Sequence, residues 1–312
     1  MEKLSDTKKK ADSLPAEMEI PVEEVHSQNN ASQPDKPQGT SGMEKAKMEE
    51  FIIKNQEKLK EAMKDKIEED DVSIQDPESS EIEEPSSIEK TKQRVRQTKP
   101  EHARFNFLLN KYVSNVGLVD YTGLSKDIGK LDSYLEELNN FPIAEDWSRN
   151  EKLAYWINAY NAFTLKLILS NFPVKSITDI DAGKPWDTKW IKLDDKTYSL
   201  NMIENDIIRP RFNEPRIHFA VNCAAKSCPP LANEAFTAEN IEALLDKQTI
   251  AFINDSSYNV VGKKSIEISK IFEWYGSDFG DVIQFFSKYL PTTLSSDLKV
   301  EFKSYDWSLN GK

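Results

Sequence analysis

Residues 148–173 read SRNEKLAYWINAYNAFTLKLILSNFP. Ser148 followed by Glu151 is the Ser-x-x-Glu pattern in which each side chain satisfies the other's backbone N–H at a helix start. From there Leu153, Trp156, Ile157, Tyr160, Thr164, Leu167 and Ile168 recur at helical spacing, and Pro173 stops the run. Phe163 and Leu165 widen the apolar stripe well beyond one face. A helix this apolar belongs at the centre of a core, with other elements on several sides of it.

Working outward, residues 104–116 and 127–139 read as two further helices joined by a turn region at 117–123. Residues 190–193 and 197–199 flank Asp194-Asp195-Lys196 as a hairpin. The spacing predicts a helix over 200–209, ended by Pro210. Residues 217–222 (IHFAVN) form a short apolar run suited to a buried strand, and Thr237 is placed to cap a helix running to about Asp255. A second hairpin pairs 259–261 with 265–268. Ser269 caps a short helix over KIFEWYG, residues 282–290 follow, and 298–305 read as a last strand. Helices and strands interleave without regular βαβ alternation. The class is therefore α+β: a single domain whose central apolar helix packs on short antiparallel strands.

The chain has 312 residues, with 41 Lys+Arg against 53 Asp+Glu. Residues 1–100 hold 24 acidic and 17 basic side chains but one aromatic residue, Phe51. A segment so poor in aromatics cannot bury enough apolar surface to offset its chain entropy. Residues 1–99 are thus expected to be a disordered acidic tail, and residues 100–312 the globular domain. Inside the tail, residues 44–69 (EKAKMEEFIIKNQEKLKEAMKDKIEE) are rich in helix formers, and Met48, Ile52, Leu59 and Ala62 fit a coiled-coil seam that Asn55 and Lys66 interrupt. This charged helix either stands alone or docks an unknown protein or peptide partner. A pI near 5.0 and the lack of a basic patch argue against nucleic acid as the main ligand. No stretch approaches the ~18 apolar residues of a membrane span, and the first residues lack a signal peptide's apolar core. The expectation is a cytoplasmic protein, off the membrane, with reduced cysteines.

Residues 218–231 (HFAVNCAAKSCPPL) hold both cysteines, Cys223 and Cys228, with His218. A thiolate nucleophile needs a neighbouring base or cation to lower its pKa, and histidine is the usual supplier. In an extended strand His218, Ala220 and Asn222 would share one face and Cys223 the other. The pair therefore meets only if the chain turns back through residues 224–227, where consecutive N–H groups could form an anion nest. Three readings compete. In the first, Cys223 is the nucleophile, His218 the general base, and Asn222 or Asn158 the orienting group. Arg209, Glu204, Asn161, Ser227 and Cys228 then face the substrate. In the second, His218, Cys223 and Cys228 bind a metal, but the His-x4-Cys-x4-Cys spacing matches no standard zinc pattern, so no metal and no other cofactor is expected. In the third, both thiols are small buried hydrophobes and His218 is a satisfied core histidine. Asn158 and Asn161, one turn apart among aromatics, either clamp neighbouring loops or orient a ligand. Glu204 and Arg209 form either a buried ion pair or an exposed face. Tyr305-Asp306-Trp307 with Asn310 reads as a C-terminal plug.

Three ordered motifs, Tyr155-Trp156-Ile157-Asn158-Ala159-Tyr160-Asn161, then His218 to Cys223 with Ser227-Cys228-Pro229, then Tyr305 to Asn310, resemble the domain-of-unknown-function family 547. Ser199-Leu200 with Glu204 and Arg209, and Ser269 to Phe272 with Trp274, fit its intervening pattern. The resemblance spans roughly residues 100–312 and leaves out the tail. It implies no settled activity, substrate or cofactor; a papain-like hydrolase relationship would suit a Cys/His site. The functional expectation is a cysteine-dependent hydrolase or acyl-transfer enzyme. The alternative is a non-catalytic protein-interaction or scaffold module whose motif residues are structural.

Overall fold

A computed structural model describes residues 99–312. The expected tail up to residue 98 and its helix at 44–69 lie outside the described residues. Three helices, α1 (Ala103–Tyr112), α2 (Tyr121–Ser125) and α3 (Ile128–Asn140), lead into the central helix α4 (Arg149–Asn171). The capping box forms as read: Ser148 Oγ accepts from the Glu151 N–H at 3.2 Å, and the Glu151 carboxylate accepts from the Ser148 N–H at 2.6 Å. From Leu153 to Leu169 every residue of α4 except Lys166 is buried. Lys166 escapes by reaching Asp132 of α3. On another side the hairpin of β1 (Ile191–Leu193) and β2 (Lys196–Tyr198) packs through Phe163 on Trp190 and Trp156 on Tyr198.

The next helix, α5, differs from expectation. It is a π-helical segment, Met202–Ile208, that runs on through Pro210 into an α-helical turn, Arg209–Phe212. Proline interrupts an α-helix because it lacks an N–H and crowds the carbonyl four residues back. Here the ladder has already widened, with the Arg209 N–H donating to the Glu204 carbonyl, and the chain absorbs the proline instead of ending.

The strand expected over 217–222 is absent. Its place is taken by a 3₁₀ turn, Pro215–Phe219, capped by Glu214 and pinned to α6 (Ile241–Asn254). The pin is Arg216, which bonds Glu214 at 2.6 Å, Glu242 at 2.7 Å and Asp246 at 2.8 Å. Thr237 and Asn240 bond each other's backbone N–H groups before the regular helix starts.

The remaining elements are β3 (Val260–Val261), β4 (Ser265–Ile268), α7 (Ile271–Trp274), α8 (Gly276–Phe279), α9 (Val282–Tyr289) and β5 (Lys299–Phe302). β3 and β4 pair antiparallel as expected, but β5 lies parallel to β4. The three helices between them supply the crossover that a parallel pairing needs. Phe219, Phe252, Phe272, Phe279 and Phe286 fill a second core under this sheet. Mixed elements with short strands make the fold α+β. After β5 the chain straps back across the domain, and Gly311 is required there: a Cβ would stand 1.9 Å from the Val119 carbonyl oxygen.

His102 makes the fold pH-sensitive. It is 6% exposed, with Nδ1 2.7 Å from the Tyr134 hydroxyl, and burial pulls its pKa from 6.5 down to about 4. The unfolded chain therefore binds more protons than the folded one between those values. This contribution to stability is complete above about pH 6.5 and is lost as the pH falls toward 4, by about 3 kcal/mol in all. Urea unfolding at pH 7 and pH 4.5 should show His102→Gln losing less stability on acidification than the wild type. Equal losses in the two proteins would contradict this assignment.

Candidate functional site

In α5 the i→i−5 ladder sets Glu204 and Arg209 on nearly the same side; five α-helical residues would leave them about 140° apart. Met202, Asp206, Ile207 and Arg211 line a separate cleft of about 760 Å³. Arg209 forks onto Asp278, with Nε 2.6 Å from Oδ2 and Nη2 2.8 Å from Oδ1, while Nη1 donates to Asn205 at 2.9 Å. Its guanidinium lies 5.0 Å from the centre of the Tyr275 ring. The 3₁₀ turn presents His218 to the same carboxylate, with Nε2 2.8 Å from Asp278 Oδ2. The imidazole stacks on Tyr275 at 4.1 Å between ring centres. Burial opposes ionisation of Asp278, but the hydrogen bonds and charges of Arg209 and His218 outweigh it and hold the carboxyl well below the usual carboxylate range.

The cysteine loop is built by amides. Asn161 donates to the Ala220 carbonyl at 2.9 Å and accepts from the Asn222 N–H at 2.8 Å. Asn222 in turn donates to the Pro229 carbonyl and accepts from the Ala224 N–H, so the loop closes on itself. Ala224 takes the left-handed turn, with φ at 61°. Asn158 clamps the next loop through both the N–H and the carbonyl of Phe236. The C-terminal strap lies along the other side. Lys226 N–H donates to the Ser308 carbonyl, Ser227 Oγ accepts from the Asp306 N–H, and Asn310 bonds Asn222.

This strap delivers the Tyr305 hydroxyl to 3.3 Å from Cys223 Sγ. The Cys223 N–H points at Cys228 Sγ, 3.0 Å away. Cys223 is partly exposed, while Cys228 is buried. A hydrogen bond from the Cys228 thiol lowers the Cys223 pKa most; burial raises it, and the Tyr305 hydroxyl and Ala225 N–H lower it further, for a net fall. Burial pushes the Cys228 thiol well up. Glu204, 5% exposed, sits beside the Tyr275 hydroxyl, whose pKa burial and this carboxylate both raise.

The sequence-derived residues thus fall into three groups. Cys223 and Cys228 are neighbours. His218, Arg209 and Glu204 gather around Tyr275 and Asp278, and no hydrogen bond joins His218 to Cys223. Asn158, Asn161, Asn222 and Ser227 hold backbone. Asp278 and Tyr275 are not among the expected site residues, and the sequence marks Tyr305 only as part of a plug. Each arrives from far along the chain, 60 residues from His218 in the case of Asp278 and 82 from Cys223 in the case of Tyr305.

A comparison with protein families matches residues 144–253 to the family described as protein of unknown function, DUF547. No curated protein and no solved structure matches the chain. The matched segment contains α4, α5, the 3₁₀ turn and the cysteine loop. Tyr275, Asp278 and Tyr305 lie beyond it and complete the cluster that the matched residues begin. Among the described residues no three His, Cys, Asp or Glu side chains converge as metal ligands would, and no helix is long and apolar enough to cross a membrane.

Proposed function

We propose that Cys223 is the nucleophile of a cysteine-dependent hydrolase or acyl-transfer site. The observation that carries this reading is the placement of one partly exposed cysteine, Cys223, with the Tyr305 hydroxyl 3.3 Å from its sulfur and the Cys228 sulfur 3.0 Å from its backbone nitrogen. The thiolate is the reactive form of cysteine, and donors aimed at it favour that form. Charge on the sulfur then comes from hydrogen bonds and not from an imidazole partner. His218 keeps the part of general base toward substrate or water, with Asp278 fixing Nε2 as an orienting carboxylate does. Arg209 is committed to Asp278, which leaves Glu204 as the polar group toward substrate. Asn161, Asn222 and Ser227 act indirectly, by holding the loop that carries Cys223, and Asn158 by holding the next loop at Phe236.

Incubating the full chain with p-nitrophenyl acetate tests this. The expected product carries one acetyl group on Cys223, absent in Cys223→Ala and formed faster than in the urea-unfolded chain. Acetylation spread over lysines, or at the unfolded rate, would end the reading. A second reading, a non-catalytic interaction or scaffold module, is favoured by one observation: Asn158, Asn161 and Asn222 all spend their amides on the fold.

A further inference from the structure

Two thiols meet in the cysteine loop, and an acyl-transfer site needs only one of them. Cys228 is separated from Cys223 by four residues, yet the loop returns it so that its sulfur lies 3.0 Å from the Cys223 backbone nitrogen. The return is enforced and not incidental. Asn222 ties its side-chain amide to the Pro229 carbonyl at 2.8 Å and takes the Ala224 N–H, while the Cys228 N–H bonds the Ala225 carbonyl at 3.1 Å. The two sulfurs differ in access. Cys223 is partly exposed, whereas Cys228 is 5% exposed. An oxidant arriving from solvent therefore meets Cys223 first, with Cys228 already in place to respond. A low-pKa, accessible thiol next to a second cysteine is the arrangement that peroxide-reactive dithiols use.

We propose that Cys223 and Cys228 are a peroxide-reducing pair, with Cys223 the thiol attacked first and Cys228 the thiol that resolves it. The substrate class is a hydroperoxide, either hydrogen peroxide or a small organic one. In the first step the Cys223 thiolate attacks the outer peroxide oxygen. The sulfur–oxygen bond forms, the oxygen–oxygen bond breaks, and the departing oxygen takes a proton to leave as water or an alcohol. Cys223 becomes a sulfenic acid. In the second step the Cys228 sulfur attacks the Cys223 sulfur, giving up its own proton, and the sulfenic hydroxyl leaves with a proton as water. The two thiols supply the two electrons and end as an intramolecular disulfide. A small thiol reductant returns both to the starting state. Tyr305, 3.3 Å from Cys223 Sγ, is the positioning residue for the attacked sulfur.

The proposal rests on the same reactive Cys223 as the acyl-transfer reading, and the experiment separates the two. The full chain is reduced, freed of reductant, and treated with a few equivalents of hydrogen peroxide, with and without dimedone to trap sulfenic acid. The wild type should lose two free thiols, fall in mass by two hydrogens, and yield a peptide linking Cys223 to Cys228 within one chain. Cys228→Ser should instead accumulate a dimedone adduct on Cys223, and Cys223→Ser should show neither product. Peptide mapping of the wild type decides the matter even if a variant fails to fold. Iodoacetamide alkylation of the same untreated sample serves as reference. Rapid alkylation of Cys223 without any Cys223–Cys228 disulfide would overturn this proposal and leave the acyl-transfer reading standing. Neither alkylation nor oxidation in the folded chain would overturn both. A disulfide only between chains would also overturn it.

Discussion

Replacing Asn161 by alanine is expected to lower the unfolding free energy by about 2–6 kcal/mol. The estimate follows from two buried backbone groups, the Ala220 carbonyl and the Asn222 N–H, which the side chain bonds at 2.9 and 2.8 Å. Removing the amide leaves both without a partner in a place water does not reach, because Asn161 is 2% exposed. Each such group costs about 1–3 kcal/mol, and domains of this size are held by roughly 5–15 kcal/mol in all. The cavity left by the truncation adds to the loss. Asn171→Ala is the control: its amide bonds only the Leu167 carbonyl within the same helix, and the residue is exposed, so its cost should stay within about 0.5 kcal/mol. Urea unfolding of the full chain measures both. A loss below about 1 kcal/mol for Asn161→Ala would mean that α4 does not hold the cysteine loop through this amide.

Much of the frame was legible because its signals are local. The Ser148–Glu151 box, the apolar circumference of α4, and the two hairpins all depend on residues a few positions apart, and each appears where the sequence puts it. The errors share a different origin. Residues 217–222 were apolar and short enough for a strand, a pattern that periodicity alone does not distinguish from a buried turn. What decided it was Arg216, whose partners Glu242 and Asp246 come from α6. Pro210 reads as a helix stop unless the preceding ladder has already shifted to π spacing, and no local signal announced that shift. β5 pairs parallel because its partner is chosen by the crossover through α7 to α9.

The candidate site shows the same division. The loop with its two cysteines and His218 stood out by composition, and so did Asn158 and Asn161. What each side chain touches did not. The strand geometry that set His218 and Cys223 on opposite faces gave way to a 3₁₀ turn, and His218 found Asp278 instead. A carboxylate 60 residues away carries no mark in the sequence that reserves it for an imidazole.

For Cys223, a large effect is expected from its hydroxyl partner. Tyr305→Phe removes a donor to the thiolate, and hydrogen bonds to charged groups are worth about 1.5–3 kcal/mol, so alkylation of Cys223 at pH 7 should slow by about tenfold or more. Cys228→Ala should slow it as well, since the Cys228 thiol is the strongest influence lowering the Cys223 pKa. His218→Gln should leave the rate within a few-fold, because His218 bonds Asp278 and not the sulfur. If His218→Gln slowed the reaction as much as Tyr305→Phe, the imidazole would be the activating group after all.

The account stands on Cys223 being a thiol that its neighbours hold toward the thiolate in the folded chain. Its iodoacetamide alkylation rate should therefore be followed from pH 5 to pH 10, with the modified cysteine identified by peptide mapping. The account predicts reaction at Cys223 alone, half-maximal at a pH below the ~8.5 of an ordinary cysteine. A midpoint at or above that value, or silence at Cys223 until the domain unfolds, would contradict it.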